Sequence, residues 1–532
     1  GPDQADRPAA LRHDLVDREL GDRVLQLGVG HRVVERWVAV REEPDVPHRD
    51  RSGRGRRGQD RLARRVGVDR TRHQHADREG EGDHDRQTQQ TLGEEPLQQE
   101  PQGRHDRTNA AVTGGESPDD TLGRRARDWL EHPFRDPPSS RTGAPATDRP
   151  EIILAPGPTP IPPEVLLAQG SPLVYHRGVG FGRLMRDVTA RLKELYRTDD
   201  ADVLLMTSSG TGGLESAIQN VFSPGDEVLV PLAGYFSERW TKLAKAHGLV
   251  VRTVEYDWGR RVVPDEVAQA LAEHPVKAVL LTHSETSTGV IQPLRDLARV
   301  ANEAGALVIA DVVSSLGAVP FAFDEWGIDV AVGGSQKALS ASPGLAFVAI
   351  SERAWATHRS ATMPRFYFDW SIYREFAERK DPENPWTPAI SVMQGLHAAL
   401  ELYFQDGVDV ALQRHRTLSR AVKEGAQALG LDLFGEGLDE NWTVTAIRAP
   451  ETIDADTISD RMRSDFGCVI APGQGPLKGT VFRIGHFGYF SELDIVRGLA
   501  ALEMTLERLG HPVKRGAAVA AAEGVFQDAF GA

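Results

Sequence analysis

Short apolar runs that alternate with amphipathic helical segments are the feature that most constrains the fold of this chain. From Glu151 onward, seven such runs have the length of a strand, and the segments between them carry apolar residues on one helical face. Runs that are apolar throughout suit strands buried on both faces, so the pattern predicts an α/β domain with a mostly parallel seven-stranded sheet. The predicted strands are 202–208, 226–232, 250–256, 276–284, 306–313, 329–335 and 344–350.

The pattern of apolar and polar residues changes beyond about residue 405. Longer helical patterns alternate there with the strand-like segments 442–450 and 480–488, which predicts a smaller α+β domain. We therefore expect a large domain at 149–405, including an N-terminal arm, and a small C-terminal domain at 406–511. An Ala-rich tail at 512–532 would follow them.

The first 150 residues have a very different composition. They contain no Lys, Met, Ile, Tyr or Cys and are rich in Arg, Asp, Gln, Gly, Pro and His, which predicts a disordered low-complexity extension at 1–148. Its Arg runs could contact nucleic acid, but interleaved Asp and Glu favour a solvated tail. A third hypothesis is that a mis-annotated start has added translated upstream DNA, because the missing residue types mostly have A/T-rich codons.

Charge and cysteine content narrow the class of protein. The 532 residues carry a formal net charge of -15, which argues against bulk attraction to nucleic acid or to an anionic membrane. No apolar run approaches the ~18 residues of a bilayer span, and the first residues lack a secretory apolar core. The single Cys468 excludes an intrachain disulfide framework and a multi-cysteine metal site. These features predict a cytoplasmic protein.

A glycine-rich turn at 207–221, "TSSGTGGLESAIQNV", is the first candidate for chemistry. A strand ends there and a helix begins near Gly212, which presents backbone N–H groups and the positive end of a helix to an anion. The spacing fits neither common nucleotide loop, so an ordinary strand–helix turn with small residues remains an alternative.

Two charged residues follow apolar strands. Asp311 closes a strand at the edge where α/β enzymes hold ligands, although it could equally be a helix N-cap. Lys337, in "GGSQKAL", could be an ordinary surface lysine, but it stands among small residues and buried strands. A desolvated lysine has a depressed pKa and can form a Schiff base with an aldehyde. A phosphate cradle, a carboxylate and a strand-end lysine together are what pyridoxal phosphate requires.

Seven motifs give the chain a resemblance to a known family. "APGPTPIPPEV", "YHRGVGF", "SSGTGGLESAI", "ETSTGV", "ADVVSSLGAVP", "GSQKAL" and "FRIGHFG" occur in this order. Residues from about 155 to 509 resemble the class V aminotransferases of the fold-type I pyridoxal-phosphate enzymes, especially the alanine–glyoxylate and serine–glyoxylate group. The resemblance implies that Lys337 carries the cofactor as a Schiff base and that Asp311 pairs with its ring nitrogen.

The resemblance also implies roles for the residues around the ring. Ser209, Gly210 and Thr211 would contact the phosphate. Phe236 would stack on the ring, where many members have Trp, and an aromatic face suits that position. The other implied contacts are Thr286 near the ring hydroxyl and Gln336 at the phosphate or ring.

Two further roles concern the substrate and a second subunit. The resemblance implies that Thr387 reaches the phosphate in the neighbouring subunit of a homodimer, and that Arg483 clamps the amino-acid carboxylate. A fork-shaped guanidinium suits a planar carboxylate, although a structural ion pair is an alternative for Arg483. The residues before Thr387, Asn384 to Trp386, depart from the Tyr or His of many members, which leaves the preferred amino acid open.

The implied activity is ping-pong transfer of an amino group from alanine or serine to a 2-oxo acid such as glyoxylate. A different amino donor, a lyase and a cysteine desulfurase are same-fold alternatives. Desulfurase chemistry needs a mobile nucleophilic cysteine, whereas Cys468 lies in a segment that looks like small-domain packing. A non-enzymatic scaffold with an Arg-rich nucleic-acid arm is the alternative from another class, and it would predict a degraded site.

Overall fold

The computed structural model describes residues 151–405 and 407–531, so the extension predicted at 1–148 lies outside the described residues. Within them the chain forms fourteen strands, several of only two residues. The strands are β1 (Ile152–Ile153), β2 (Asp202–Thr207), β3 (Glu227–Leu232), β4 (Val250–Glu255), β5 (Ala278–Thr282), β6 (Ser284–Glu285), β7 (Val290–Ile291), β8 (Leu307–Asp311), β9 (Val330–Gly334), β10 (Leu345–Ile350), β11 (Val444–Arg448), β12 (Cys468–Val469), β13 (Ala471–Pro472) and β14 (Val481–Gly485).

Thirteen α-helices connect these strands in the described part of the chain. They are α1 (Pro163–Gln169), α2 (Val179–Tyr196), α3 (Gly210–Val221), α4 (Tyr235–Ala246), α5 (Pro264–Glu273), α6 (Leu294–Glu303), α7 (Glu352–His358), α8 (Trp370–Ala377), α9 (Ile390–Gln405), α10 (Val408–Ala428), α11 (Ala455–Phe466), α12 (Glu492–Arg508) and α13 (Ala517–Phe530). Short 3-10 turns occupy Leu438–Glu440 and Gly475–Leu477.

The main sheet has seven strands in the order β2-β10-β9-β8-β5-β3-β4. Only β10 runs antiparallel to its two neighbours, and the other pairs are parallel. The predicted seven-stranded, mostly parallel sheet is therefore confirmed, with each strand within a few residues of its predicted bounds. Since β10 is the only reversed strand, the carboxyl ends of the other six strands meet at one edge.

Both faces of this sheet are covered, as the uninterrupted apolar runs predict. Alternate residues of β2 enter opposite cores: Val203 and Leu205 join one cluster, and Leu204 and Met206 join the other. Residues of α2, α5, α6 and α9 pack in the first cluster, and residues of α3, α4, α7 and α8 pack in the second.

A third hydrophobic cluster gathers most of the C-terminal part. It joins α10, α11 and α12 to the antiparallel sheet β11-β14-β13 and also takes in Leu154 from the N-terminal arm. The Ala-rich segment forms α13, whose Ala518, Ala522 and Phe526 are buried in the same cluster. No helix of the described residues is both long and apolar enough to cross a bilayer. The domain boundaries given above remain a prediction.

Candidate active site

The carboxyl edge of the main sheet carries a cavity of about 180 Å³. Asp311 is the last residue of β8, and Lys337 follows β9 by three residues. Because the carboxyl ends of parallel strands meet at one edge, chain segments distant in sequence converge here. Seven residues singled out from the sequence line the cavity together: Ser209, Gly210, Thr211, Phe236, Asp311, Gln336 and Lys337.

One wall of the cavity is the N-terminus of α3. Its N-cap residue Ser209 makes no side-chain cap hydrogen bond, and no acidic residue lies in the first turn. The positive end of the helix dipole therefore faces the cavity without a protein anion of its own. Gly210 is needed for the close packing, since a Cβ there would lie 2.7 Å from Cγ2 of Val313. This end of the cavity suits a phosphate group.

Lys337 is half-buried and is enclosed by the N-terminal arm. Its ammonium donates to the carbonyl of Pro156, while its own carbonyl accepts from Thr159 Oγ1 at 2.8 Å. The arm approaches so closely that a Cβ on Gly157 (φ +111°) would lie 2.7 Å from Lys337 Nζ. Burial lowers the pKa of Lys337 to about 8, with Asp311 opposing that shift and Arg483 and Arg239 adding to it. About a tenth of this amine is therefore uncharged at pH 7, far more than for an ordinary lysine.

Asp311 is a buried carboxylate, with 7 % of its surface exposed. Burial raises its pKa to about 6, although the backbone N–H of Val313 donates to Oδ1 at 2.9 Å and so opposes that shift. Arg239 and Lys337 also favour the ionised form. A bound cation beside Asp311 would favour its ionised form and so oppose the effect of burial.

The sequence analysis did not single out Arg239, which also lines the cavity. Its Nη1 donates to Thr211 Oγ1 at 3.1 Å, so a cation stands beside the start of α3. The guanidinium also lies over the Phe236 ring, 4.7 Å from its centroid. A usable signal was present, because residues three apart share one face of a helix and Phe236 precedes Arg239 by three.

A second overlooked residue, Glu285, caps the helix that carries Phe236. Helix α4 starts after Gly234, which has no side chain to cap it, and the buried Glu285 carboxylate accepts from the N–H groups of Phe236 (3.0 Å) and Ser237 (3.1 Å). Ser287 Oγ also donates to it at 2.5 Å. Burial raises the pKa of Glu285, while these hydrogen bonds oppose that shift. Glu285 thus fixes α4 from a neighbouring strand.

Arg483 lies on β14 and reaches across to the segment that follows β6. Its guanidinium donates to the carbonyls of Thr286 and Pro472, at 2.8 Å in each case. Burial lowers the pKa of Arg483 to about 10, and the negative charge of Glu285 opposes this shift. The structure thus brings Arg483 and Thr286 together, although neither side chain lines the cavity.

Thr387 lies apart from these residues. Its side chain is exposed, in the segment before α9, and it does not line the cavity of its own chain. The adjacent Trp386 ring stacks on Tyr367, with centroids 5.9 Å apart. The role that the resemblance implies for Thr387 concerns a second subunit and remains a prediction.

Comparison with known proteins decides the family. The profile of the family described as "Aminotransferase class-V" matches residues 156–469, which is more than half of the chain. The chain belongs to the class V aminotransferases. The matched part runs from the N-terminal arm to β12.

Individual relatives match this chain over nearly the whole of their own length. A protein of Synechococcus sp. named soluble hydrogenase, small subunit, is 40% identical over 71% of this chain and 99% of its own. The serine–glyoxylate aminotransferase of Methylorubrum extorquens is 35% identical over 72% of this chain and 98% of its own. Although the first of these names points to other chemistry, it is the name of a relative, and the family match makes this chain an aminotransferase.

A solved structure supports the same assignment. The ureidoglycine–glyoxylate aminotransferase of Bacillus subtilis aligns with a TM-score of 0.69 and 31% identity, covering 71% of this chain and 98% of that one. The fold-type I architecture expected for this class V aminotransferase is confirmed.

The surroundings of Cys468 argue against the desulfurase alternative. It is fully buried on β12, beside Ile152 of β1, in the C-terminal hydrophobic cluster. Burial raises the pKa of its thiol, which disfavours the thiolate that desulfurase chemistry requires.

Proposed function

We propose that this aminotransferase transfers the amino group of a small amino acid, alanine or serine, to a 2-oxo acid such as glyoxylate. The single observation that supports it best is that Lys337, Asp311 and the N-terminus of α3 line one cavity. Both the serine–glyoxylate and the ureidoglycine–glyoxylate relatives carry glyoxylate in their names. That shared name supports glyoxylate as the acceptor.

The residues of the cavity fit pyridoxal phosphate. Its phosphate would lie at Ser209, Gly210 and Thr211, where the start of α3 has no cap of its own and Arg239 adds a positive charge. The Phe236 ring would cover one face of the pyridine, and Gln336 would contact its polar groups. The contact with the ring hydroxyl that the resemblance implies for Thr286 would need this residue to move closer, because it does not line the cavity. When bound, this cofactor supplies an aldehyde that condenses with amines and a protonated ring that accepts electrons.

Lys337 is the group we assign to proton transfer. With a pKa of about 8, its amine is basic enough to take the proton from Cα of the amino acid, and about a tenth of it is uncharged at pH 7. Asp311 would hold the proton on the ring nitrogen, because its ionised form gains a cationic partner there.

Arg483 is the group we assign to the substrate carboxylate. It is buried, with 5 % of its surface exposed, and its Nη1 and Nη2 already donate to two backbone carbonyls that hold the guanidinium in place. Nε also donates to the carbonyl of Pro472, at 3.2 Å, so two of the five N–H donors of the guanidinium remain for a carboxylate. Glu285 is 1 % exposed and Arg483 is 5 % exposed, so both groups are largely removed from water, which raises the pKa of Glu285 and lowers that of Arg483.

The proposal includes a cytoplasmic homodimer in which Thr387 serves the site of the second subunit. The exposed position of Thr387 and the exposed side chains of Phe366 (71 %) and Tyr175 (71 %) support a subunit contact. The free, buried Cys468 supports the cytoplasmic location, because disulfides are rare in that compartment.

An absorbance titration tests the proposal. Pyridoxal phosphate is added to the cofactor-free protein and to Lys337→Ala, followed by L-alanine, L-serine, L-aspartate and L-cysteine in turn. We expect a visible band that requires Lys337 and that alanine or serine bleaches and glyoxylate restores. A band that no amino acid bleaches would refute the substrate assignment, and the absence of any band would refute the cofactor assignment.

A further inference from the structure

The N-terminal arm, segment 154–159, contacts the reacting lysine at two places. The Lys337 ammonium donates to the carbonyl of Pro156, and the Lys337 carbonyl accepts from Thr159 Oγ1 at 2.8 Å. The backbone N–H of Thr159 also donates to the carbonyl of Gln336, at 3.1 Å. The arm therefore contacts both the amine and the backbone of this lysine.

Thr159 acts on the turn that follows the lysine. It is 3 % exposed, so its hydrogen bond to the Lys337 carbonyl is shielded from water. The same carbonyl accepts from the N–H of Ser340 at 2.9 Å, and Ser340 has a left-handed backbone (φ 54°), which is uncommon for a residue with a side chain. Thr159 thus adds a second donor to the carbonyl that closes this turn, and it fixes the backbone from which the lysine side chain extends.

Gly157 leaves room for the lysine amine. It has a φ of +111°, and a Cβ at this position would lie 2.7 Å from Lys337 Nζ and 2.8 Å from Lys337 Cδ. Real Cβ atoms do not approach other heavy atoms so closely. A side chain on residue 157 would therefore displace the amine from the carbonyl of Pro156.

The arm is itself fixed to the C-terminal part of the chain. Leu154 is fully buried in the C-terminal hydrophobic cluster. Its N–H donates to the carbonyl of Val469 and its carbonyl accepts from the N–H of Gly485, at 2.7 Å in each case. Gly485 lies on β14, two residues after Arg483. The strand that carries the group assigned to the substrate carboxylate therefore also fixes the arm that contacts the amine.

Proton transfer by Lys337 requires a free amine in a defined position. The lysine side chain is long and flexible, so a free amine without a fixed partner would occupy several positions. A carbonyl oxygen only accepts hydrogen bonds, so it takes an N–H of the amine and leaves the lone pair of the uncharged form directed elsewhere. Displacement of a catalytic group by about 1 Å can slow a reaction about 100-fold.

We propose that the arm positions the catalytic lysine. The Pro156 carbonyl holds the free amine of Lys337, Gly157 makes room for that amine, and Thr159 fixes the backbone from which the side chain extends. This inference rests on the proposed function, because there the free amine moves the proton of Cα. Gly157 and Thr159 are positioning residues, since neither lines the active-site cavity.

The first pair of variants tests the room that Gly157 provides. In the full-length, cofactor-free protein, Gly157→Ala should slow incorporation of pyridoxal phosphate at least about 100-fold at pH 8, measured by stopped-flow absorbance. Gly225→Ala is the matched control, because Gly225 also has a positive φ (+90°) but a Cβ there would meet no atom within 4 Å. It introduces the same kind of backbone strain away from Lys337 and should incorporate the cofactor at the wild-type rate.

The second pair tests the hydroxyl of Thr159. Thr159→Val keeps the shape of the side chain and removes the donor to the Lys337 carbonyl, so incorporation should slow about fivefold to tenfold, the effect of one buried hydrogen bond. Thr159→Ser keeps the hydroxyl and should recover most of the rate.

A kinetic isotope effect separates positioning from a general loss of structure. In the holoenzyme, the amino acid that bleaches the visible band, L-alanine or L-serine, is compared with its Cα-deuterated form. Thr159→Val should lower kcat about tenfold, leave KM nearly unchanged and raise the isotope effect, because proton transfer by a misplaced amine is slower relative to the other steps. A smaller folded fraction would lower kcat without changing the isotope effect.

Equal incorporation rates in Gly157→Ala and Gly225→Ala would overturn the inference, and so would equal rates and isotope effects in Thr159→Val and Thr159→Ser. If Gly157→Ala does not fold, the Thr159 pair decides. A wild-type protein that forms no visible band refutes the cofactor assignment, and this inference with it. A wild type that forms the band beside variants that match their controls refutes the inference alone.

Discussion

The buried carboxylate of Asp311 destabilises the folded protein when no cofactor is bound. Burial raises its pKa from 3.8 to about 6, so the folded protein resists ionisation more than the unfolded chain does. The destabilisation is absent below about pH 4, grows between about pH 4 and 6, and is complete above. A shift of this size corresponds to about 3 kcal/mol as an upper bound.

Asp311→Asn should therefore stabilise the cofactor-free protein while abolishing its function. We expect a higher free energy of unfolding in urea at pH 8 and little change at pH 4, since the amide keeps an acceptor for the N–H of Val313. Transamination should fall at least about 100-fold, because the ring nitrogen loses its anionic partner. A variant less stable than the wild type at pH 8 would contradict this account of the carboxylate.

Lys337 should react with pyridoxal phosphate at a lower pH than an ordinary lysine. Only the uncharged amine attacks an aldehyde, and burial lowers its pKa to about 8. The rate of cofactor incorporation should therefore rise about tenfold per pH unit up to pH 8 and then level off. Stopped-flow absorbance of the cofactor-free protein measures this rate. A rise that continues beyond pH 10 would show that the amine is not desolvated.

The residues found from the sequence share one property. Lys337 and Asp311 stand at the ends of apolar strands, where a charged residue is conspicuous, and parallel topology brings strand ends together. Arg239 lies within an amphipathic helix, where an arginine is usually solvated, and its spacing of three residues from Phe236 is the signal that could have singled it out. The cap that Glu285 provides joins residues 49 positions apart, so no local pattern predicts it.

At the scale of single elements, α4 depends on a contact that is distant in sequence. Glu285→Ala would leave the buried N–H groups of Phe236 and Ser237 without their acceptor, at a cost of about 1–3 kcal/mol. Because α4 carries Phe236 and Arg239 into the cavity, the affinity for pyridoxal phosphate should fall as well. Urea unfolding and cofactor titration measure the two effects.

Ser491→Ala provides the control for that variant. Ser491 caps α12 from an exposed position and accepts from the N–H of Asp494 at 3.3 Å. Its loss should cost about 1 kcal/mol and leave cofactor affinity unchanged. Equal cofactor affinities in Glu285→Ala and Ser491→Ala would mean that α4 is positioned by other contacts.

Element lengths explain which parts of the fold could be predicted. The seven strands of the main sheet have five or six residues each, long enough for an uninterrupted apolar run to stand out. The paired strands β6 and β7 have two residues each and flank the turn at 286–289, so they are too short to leave a periodic signal. Helix α13 looked like a tail because Ala-rich sequence lacks large apolar residues, yet small residues allow close packing on α10.

At the scale of the whole molecule, the N-terminal arm joins two regions of the fold. The N–H of Leu154 donates to the carbonyl of Val469 in the C-terminal cluster, and three residues later the chain passes against Lys337. Arg483 makes a second link, from β14 to the carbonyl of Thr286. A shift of the C-terminal cluster would therefore displace groups on both sides of the cavity.

The homodimer proposal predicts complementation between two inactive variants. Lys337→Ala removes the reacting amine, and Thr387→Glu should repel the phosphate of whichever site Thr387 serves. If Thr387 acts in the partner's site, a mixed dimer has one site with both lesions and one intact site. Refolding an equal mixture should then restore about one quarter of wild-type activity, because half of the dimers are mixed and each has one working site.

If Thr387 acts in its own chain, both sites of a mixed dimer carry a lesion and no activity returns. Each variant refolded alone is the control, and full activity of Thr387→Glu alone would remove Thr387 from the proposal altogether.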